Sequence, residues 1–214
     1  MVFNMNHHQE TLETWNKVAA LYQEKFMDLD LYNESYDFFC NAINVDKAEI
    51  LEIGCGPGNI SKYILSKRPD FKLLGIDYAS NMISLAQQNV PNASFRVMDC
   101  KEIRSIDKKF DGIVCGFCLP YLSPEECAQL ISDANYLLNN DGILYLSFVE
   151  GDPGQSGYKT GSSGDRAYFY YHNLEELRSQ IKKSGFTEHK IFFVEYTLMR
   201  DAKETHTIIL AGKV

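Results

Sequence analysis

Ala48-Glu49-Ile50-Leu51-Glu52-Ile53-Gly54-Cys55-Gly56-Pro57-Gly58-Asn59 is a short apolar run that stops at an acid and breaks into glycines at alternate positions. The apolar run predicts a buried strand, and the glycines predict a tight turn with a helix opening near Asn59. Glycine at every second position suits a chain that must adopt positive φ, or lay its backbone against a ligand with no Cβ in the way. Pro57 stiffens the bend. The helix presents free N–H groups to the turn, and Glu52 is an acceptor-only group two residues before the first glycine. Such a turn can hold a ligand by its backbone and grip one cationic or donor group on it.

Spacing narrows the ligand. A dinucleotide turn needs Gly-x-Gly-x-x-Gly, whereas here the third glycine comes one residue early, at Gly58, and Asn59 fills the dinucleotide position. No Lys-Ser or Lys-Thr follows, which argues against a phosphate-cradling P-loop. An acidic strand end with Gly-x-Gly-x-Gly instead resembles the first motif of the class I S-adenosylmethionine (SAM) dependent methyltransferases, in which this loop wraps the methionine part of the cofactor. The resemblance implies that Glu52, Gly54, Cys55, Gly56 and Gly58 contact SAM. A glycine-rich turn in an unrelated α/β protein is the plainer reading of the motif alone.

Composition sets further bounds. The 214 residues suffice for one domain with a sizeable core, and a single domain is expected. A net charge of −8, with no basic stripe, argues against nucleic acid as a partner. Six cysteines (Cys40, Cys55, Cys100, Cys115, Cys118 and Cys127) lie mostly in apolar segments, which suits a reducing cytoplasm better than a disulfide framework. No apolar run approaches the ~18 residues needed to cross a bilayer, so no membrane partner is expected.

Apolar side chains at helical spacing over residues 8 to 43 predict two helices with a polar break around Asp28 to Asn33. In the methyltransferases that the chain resembles, such a segment covers the cofactor pocket and an aromatic hydroxyl reaches the methionine carboxylate. Tyr22 matches that placement, against the plainer reading of an amphipathic tyrosine at a helix edge. Beyond the glycine turn, Phe71 to Asp77 predicts a second strand ending in an acid, near the ~20-residue interval at which a ribose-binding acid is expected. Asp77 is therefore assigned to the ribose hydroxyls, with Tyr78 and Met82 offering apolar surface to adenine or simply filling core. Phe95 to Cys100 is a third such strand. The family pattern implies Asp99 for the adenine amine and the Cys100 backbone for the ring, while a turn cap is the alternative for Asp99. Three successive strands ending in acids are hard to dismiss, because open parallel sheets bind ligands at strand carboxyl ends.

Phe110 to Leu122 reads as the fourth strand and its exit loop, similar to the family's fourth motif, and that resemblance implies that Gly116 meets the cofactor. Cys118-Leu119-Pro120-Tyr121 is similar to the Asn-Pro-Pro-Tyr loop of enzymes that methylate exocyclic amines, but it lacks the amide that would hold the amine. Cys115 and Cys118 have zinc-like spacing without a second pair, and no metal is expected. Ser123-Pro124-Glu125-Glu126 caps a helix to about Leu138, followed by a break at Asn139 to Gly142 and a strand from Ile143 to Val149. Asp152 to Asp165 is expected to be a glycine- and serine-rich loop acting as a substrate lid. A last helix beginning within Phe169 to Leu177 precedes two strands, Ile191 to Leu198 and Thr205 to Ala211, whose short turn demands an antiparallel hairpin.

The fold expected from the resemblance is a Rossmann-like α/β methyltransferase fold: a seven-stranded, mostly parallel sheet with a C-terminal antiparallel hairpin and helices on both faces. Its parts are a helical cap (1–45), a SAM-binding core (46–150), a lid loop (151–168) and a C-terminal helix with hairpin (169–214). The implied activity is methyl transfer from SAM to a small-molecule O, N or C acceptor by in-line displacement, in a cytoplasmic monomer or homodimer. His172 and Tyr121 are the candidates to position or deprotonate the acceptor, a capping or satisfied histidine being the plainer reading of His172. A noncatalytic SAM-binding scaffold and a nicotinamide-dependent oxidoreductase are the alternatives.

Overall fold

Burial on both faces explains why Ile50, Leu51 and Ile53 are all apolar in the strand beginning at Glu49. The computed structural model describes residues 7–161, 163–197 and 203–214. In it β1 (Glu49–Ile53) lies between β2 (Lys72–Asp77) and β4 (Phe110–Cys115), parallel to both. With β3 (Ser94–Val97), β5 (Leu138–Val149), β8 (Phe186–Thr197) and β9 (Lys203–Lys213), the sheet runs in the order β3-β2-β1-β4-β5-β9-β8. Strands β1 to β5 are parallel, and β9 runs antiparallel between β5 and β8. The order reverses between β1 and β4, so the β1 and β4 exit loops diverge and open a crevice at the strands' carboxyl ends.

Alternate residues feed two cores. On one face, α2 (Asn33–Ala42) and α3 (Asn59–Lys67) bring Tyr36, Phe39, Ile60 and Ile64 onto Ile50, Val114, Tyr145, Ile208 and Leu210. On the other, α5 (Pro124–Leu137) and α6 (Leu174–Lys183) bring Leu130, Ile131, Leu177 and Ile181 onto Leu51, Ile53, Ile113 and Ile209. Thus α2 is a core helix rather than part of a separate cap. The other N-terminal helix, α1 (His7–Phe26), packs Trp15, Ala19 and Tyr22 on Ala79 and Met82 around the start of α4 (Ser80–Asn89).

The expected lid loop is largely ordered. After a single 3₁₀ turn at Pro153–Gln155, β6 (Gly157–Thr160) and β7 (Arg166–Phe169) form their own antiparallel hairpin. Its support comes from α1, about 150 residues away in sequence: Thr14 Oγ1 donates to the Arg166 carbonyl (2.7 Å), Lys17 pairs with Asp165 (2.6 Å), and Arg166 pairs with Glu10 (2.5 Å). No local periodicity announces partners that distant. Phe169 therefore ends a strand, and the last helix starts at Leu174, where the Asn173 side chain accepts from the Glu176 N–H (3.1 Å). The break at Asn139 to Gly142 is absorbed into β5 as a bulge, with Asp141 at φ 62° between pairs Leu138–Phe110 and Ile143–Gly112. Part of the expected strand end at Leu198 lies outside the described residues.

Candidate active site

All three glycines of the turn after β1 take positive φ: 68° at Gly54, 52° at Gly56 and 86° at Gly58. The turn is pinned from the next strand. Cys55 N–H donates to the Ile76 carbonyl (2.9 Å), and Gly56 N–H donates to Asp77 Oδ2 (3.0 Å). Asp77 Oδ1 accepts from Ala79 N–H (2.8 Å). Two bonds leave this carboxylate with further lone pairs for a ligand's hydroxyls. Burial pushes its carboxyl up to about pH 6.

Behind the turn, Glu52 is fully buried on the α3 side of the sheet. It accepts from Ser61 Oγ, while Oε1 has no partner among the described residues. Burial drives its carboxyl up to about 8, with the Ser61 bond opposing the shift. A buried carboxyl with an unused acceptor is a poor stability device on its own. A cation in the adjoining crevice would let it ionise.

The crevice is a cavity of about 360 Å³ along the carboxyl ends of the strands. Of the residues expected to meet cofactor, Tyr22, Gly54, Gly56, Asp77, Tyr78, Met82, Asp99, Cys100 and Gly116 line it, and so does Tyr121. Asp99 is also a cap, its Oδ1 accepting from Lys101 N–H (2.9 Å), so both readings of that residue coexist. Glu52, Cys55, Gly58 and His172 do not line the cavity. Gly58 is the left-handed cap of α3, and a Cβ there would sit 3.2 Å from Val90 and 3.4 Å from Ala86. Its need for glycine comes from the backbone and from packing on α4.

His172 lies away from the cavity. It is buried, its Nε2 bonded to the Leu119 carbonyl (2.8 Å) and 3.8 Å from Cys127 Sγ, with its pKa lowered by that burial. It ties the β7–α6 junction to the loop after β4, which makes it a structural histidine. Tyr121 instead faces Trp15 and Phe169 edge to face.

A second group of lining residues carried no signal in the glycine motif: Tyr32, Phe117, Tyr196, Glu204 and His206. They converge because Phe117 leaves β4, Tyr196 lies in the last two residues of β8, and Glu204 and His206 lie near the start of the antiparallel β9, all at the end of the sheet where the parallel strands finish. Along β9, His206 shares a face with Ile208 and Leu210 in the α2-side core, so it fills a position that the alternation otherwise gives to aliphatic residues. That is the one clue present in the sequence, a polar residue in a core-facing slot. The His206 ring stacks on Tyr196 (4.8 Å, 13°), and its Nδ1 is 2.7 Å from Tyr32 Oη. Burial lowers its pKa to about 4. Phe117 meets it at 5.0 Å from a left-handed backbone (φ 57°), a costly conformation for a side chain with a Cβ, held by a bond from its N–H to Ser147 Oγ (2.8 Å).

The two halves divide the cavity by chemistry. The β1-β2-β3 side offers a bare backbone bend and the carboxylates of Asp77 and Asp99, with Tyr78 and Met82 as apolar surface. It suits a nucleoside with a cationic tail. The β4-β5-β9-β8 side offers ring faces. Among the described residues, no three His, Cys, Asp or Glu side chains converge as a metal site, and no helix is long and apolar enough to cross a membrane.

Comparison with known proteins bears on this division. Residues 50–142 match a methyltransferase domain family. The chain is 36% identical over 112 residues to a provisionally named methyltransferase of Invertebrate iridescent virus 6, covering 52% of this chain and 40% of that protein. It is 31% identical over 100 residues to the malonyl-acyl-carrier-protein O-methyltransferase of Bacillus cereus, covering 46% and 36%. Each of these matches spans less than half of the relative's length. Among solved structures, magnesium protoporphyrin IX methyltransferase from Synechocystis PCC 6803 with bound SAM has a TM-score of 0.72 at 16% identity, covering 100% of both chains. Burkholderia thailandensis 1,6-didemethyltoxoflavin-N1-methyltransferase, with its acceptor and S-adenosylhomocysteine bound, has a TM-score of 0.72 at 18% identity, covering 97% of this chain and 88% of that one. These two likenesses show the fold. The matched family spans the strands that form the cavity floor, so residues 50–142 are similar to a methyltransferase domain, set in a Rossmann-like methyltransferase fold with a C-terminal antiparallel hairpin.

Proposed function

We propose that the protein transfers a methyl group from SAM to a small-molecule acceptor by in-line displacement. The observation that carries this is one cavity in which a carboxylate-and-glycine half adjoins an aromatic half. Asp77 would take the ribose hydroxyls and Asp99 the adenine amine, with Tyr78 and Met82 against the base. Gly54 and Gly56 would let the backbone bend lie against the methionine portion, which Tyr22, 3.6 Å from where a Gly56 Cβ would stand, would cover. When bound, SAM supplies an activated methyl on a sulfonium, so the chemistry resides in the cofactor. The chain's own task is to align the acceptor and exclude water, a proximity effect that can be worth about 7–11 kcal/mol.

We further assign α1 and the β6–β7 hairpin as a joint cover, since Trp15, Tyr121 and Phe169 meet above the cavity. Calorimetry with SAM and S-adenosylhomocysteine tests the cofactor. A screen of amine, phenol and carboxylate acceptors for a mass gain of one methylene unit tests transfer. A chain that binds neither nucleoside refutes the proposal.

A further inference from the structure

The aromatic half of the cavity contains a chain of polar atoms that methyl transfer to a lone pair with no proton to lose would leave unused. Tyr32 stands just before α2, 7% exposed, with its hydroxyl 2.7 Å from His206 Nδ1. On the far side of the imidazole, Nε2 is 3.9 Å from Glu204 Oε2. Glu204 retains about a quarter of its side-chain exposure, and its other oxygen accepts from Tyr171 Oη (3.1 Å). The order is thus an inner hydroxyl, a buried imidazole and a carboxylate that reaches solvent. The Glu204 separation exceeds a hydrogen bond, a looseness common in catalytic contacts before substrate arrives.

The charge of Glu204 favours the tautomer with hydrogen on Nε2, which leaves Nδ1 to accept from Tyr32. Among the described residues, the groups facing His206 are Tyr32 from the loop before α2, Phe117 from the β4 exit, Tyr196 from β8 and Glu204 from β9. Glu204 is the only formally charged one among them. Burial keeps the imidazole neutral, so it can receive a proton on one nitrogen while releasing one from the other.

Resting on the methyltransferase reading above, we infer that Tyr32, His206 and Glu204 form a proton-exit relay, and that the acceptor is a weakly acidic hydroxyl on a planar ring, a phenol. The acceptor O–H breaks and its proton goes to Tyr32 Oη. Tyr32's own proton passes to His206 Nδ1, and the Nε2 proton passes to Glu204. The acceptor oxygen bonds to the methyl carbon as the carbon–sulfur electron pair returns to sulfur. The ring faces of Tyr32, Phe117 and Tyr196 match a flat acceptor. Tyr32 is the catalytic residue, and His206 and Glu204 act through it.

The test uses phenols of graded acidity with the full chain, wild type and the variants Tyr32→Phe, His206→Gln and Glu204→Gln. Calorimetry with S-adenosylhomocysteine first confirms folding and an unchanged cofactor site. For the least acidic phenol, Tyr32→Phe and His206→Gln are expected to lower kcat about 10²- to 10⁴-fold with little change in KM. The deficit should shrink towards phenols already ionised at the assay pH. Independently of turnover, a chromogenic phenol titrated spectroscopically in the complex with S-adenosylhomocysteine should show a bound pKa about one unit higher in Tyr32→Phe, a tenfold change. An equal loss across the series, an unchanged bound pKa, or methylation of amines or carboxylates but no phenol would overturn the relay and leave the methyltransferase reading standing. Failure to bind SAM would end both.

Discussion

Two buried carboxyls at the ends of neighbouring strands give this part of the sheet its pH behaviour. Glu52 titrates near 8 and Asp77 near 6, both raised first by burial. Above its unfolded value near 4.5, Glu52 is ionised in the unfolded chain but still protonated in the folded one. The folded state then binds more protons, so stability falls as pH rises from about 4.5 to about 8. Glu52→Gln removes that slope. Its gain over wild type in thermal or urea unfolding should be small in acid and grow to on the order of 3 kcal/mol near neutral pH. A cation bound beside these groups favours their ionised forms, so SAM binding should release protons and tighten as pH rises from about 6 to 8. Calorimetry in buffers of different ionisation enthalpy reads this directly, and net proton uptake would contradict it. Asp77→Ala should weaken SAM binding by about 1.5–3 kcal/mol, the range for hydrogen bonds to charged groups. Asp77 also tethers the Gly56 and Ala79 N–H groups, so some of that loss is a loosened turn.

At the level of elements, the strand–turn–helix unit from Glu49 to Lys67 depends on left-handed glycines. Gly58→Ala puts a Cβ on a backbone at φ 86° and close against Val90 and Ala86. Urea unfolding should show a loss of at least about 1–2 kcal/mol, the strain of the left-handed conformation alone. The helix α5 illustrates a different kind of local determination: Ser123 and Glu126 form a reciprocal capping box with Pro124 at the first helical position. Ser123→Ala should cost about 1 kcal/mol without touching cofactor affinity. In β9 the opposite holds, since the role of His206 depends on Tyr32, 174 residues away.

For the molecule as a whole, α1 and the β6–β7 hairpin are the elements proposed above as a joint cover of the cavity. The hairpin is tied outward to α1 through Thr14, Lys17 and Glu10, and inward by Tyr170 N–H donating to the Pro120 carbonyl (2.7 Å). A cover built this way would move α1 and the hairpin together. Protease cleavage between Gly154 and Gly164 should therefore slow when SAM and an acceptor are both present. Unchanged cleavage would separate the hairpin from ligand binding. The fold itself does not decide the reaction, as different chemistries share one scaffold.

What could be read from the chain alone was what its local physics dictates. Glycines at positions 54, 56 and 58 announced positive φ, acids at 52, 77 and 99 marked strand ends, and a six-residue turn forced the final hairpin. Those features brought most of the carboxylate-and-glycine half of the cavity within reach of sequence reasoning. The aromatic half was not legible, because Tyr32, Phe117, Tyr196 and His206 belong to separate elements and each is ordinary until sheet order sets them side by side. For the same reason the sequence could not show that His172, near a helix start, is buried against the Leu119 carbonyl and away from the cavity. Local conformation follows from backbone sterics and short-range capping, which neighbouring residues encode. Convergence of distant side chains follows from strand order and register, which exist only once the chain has folded.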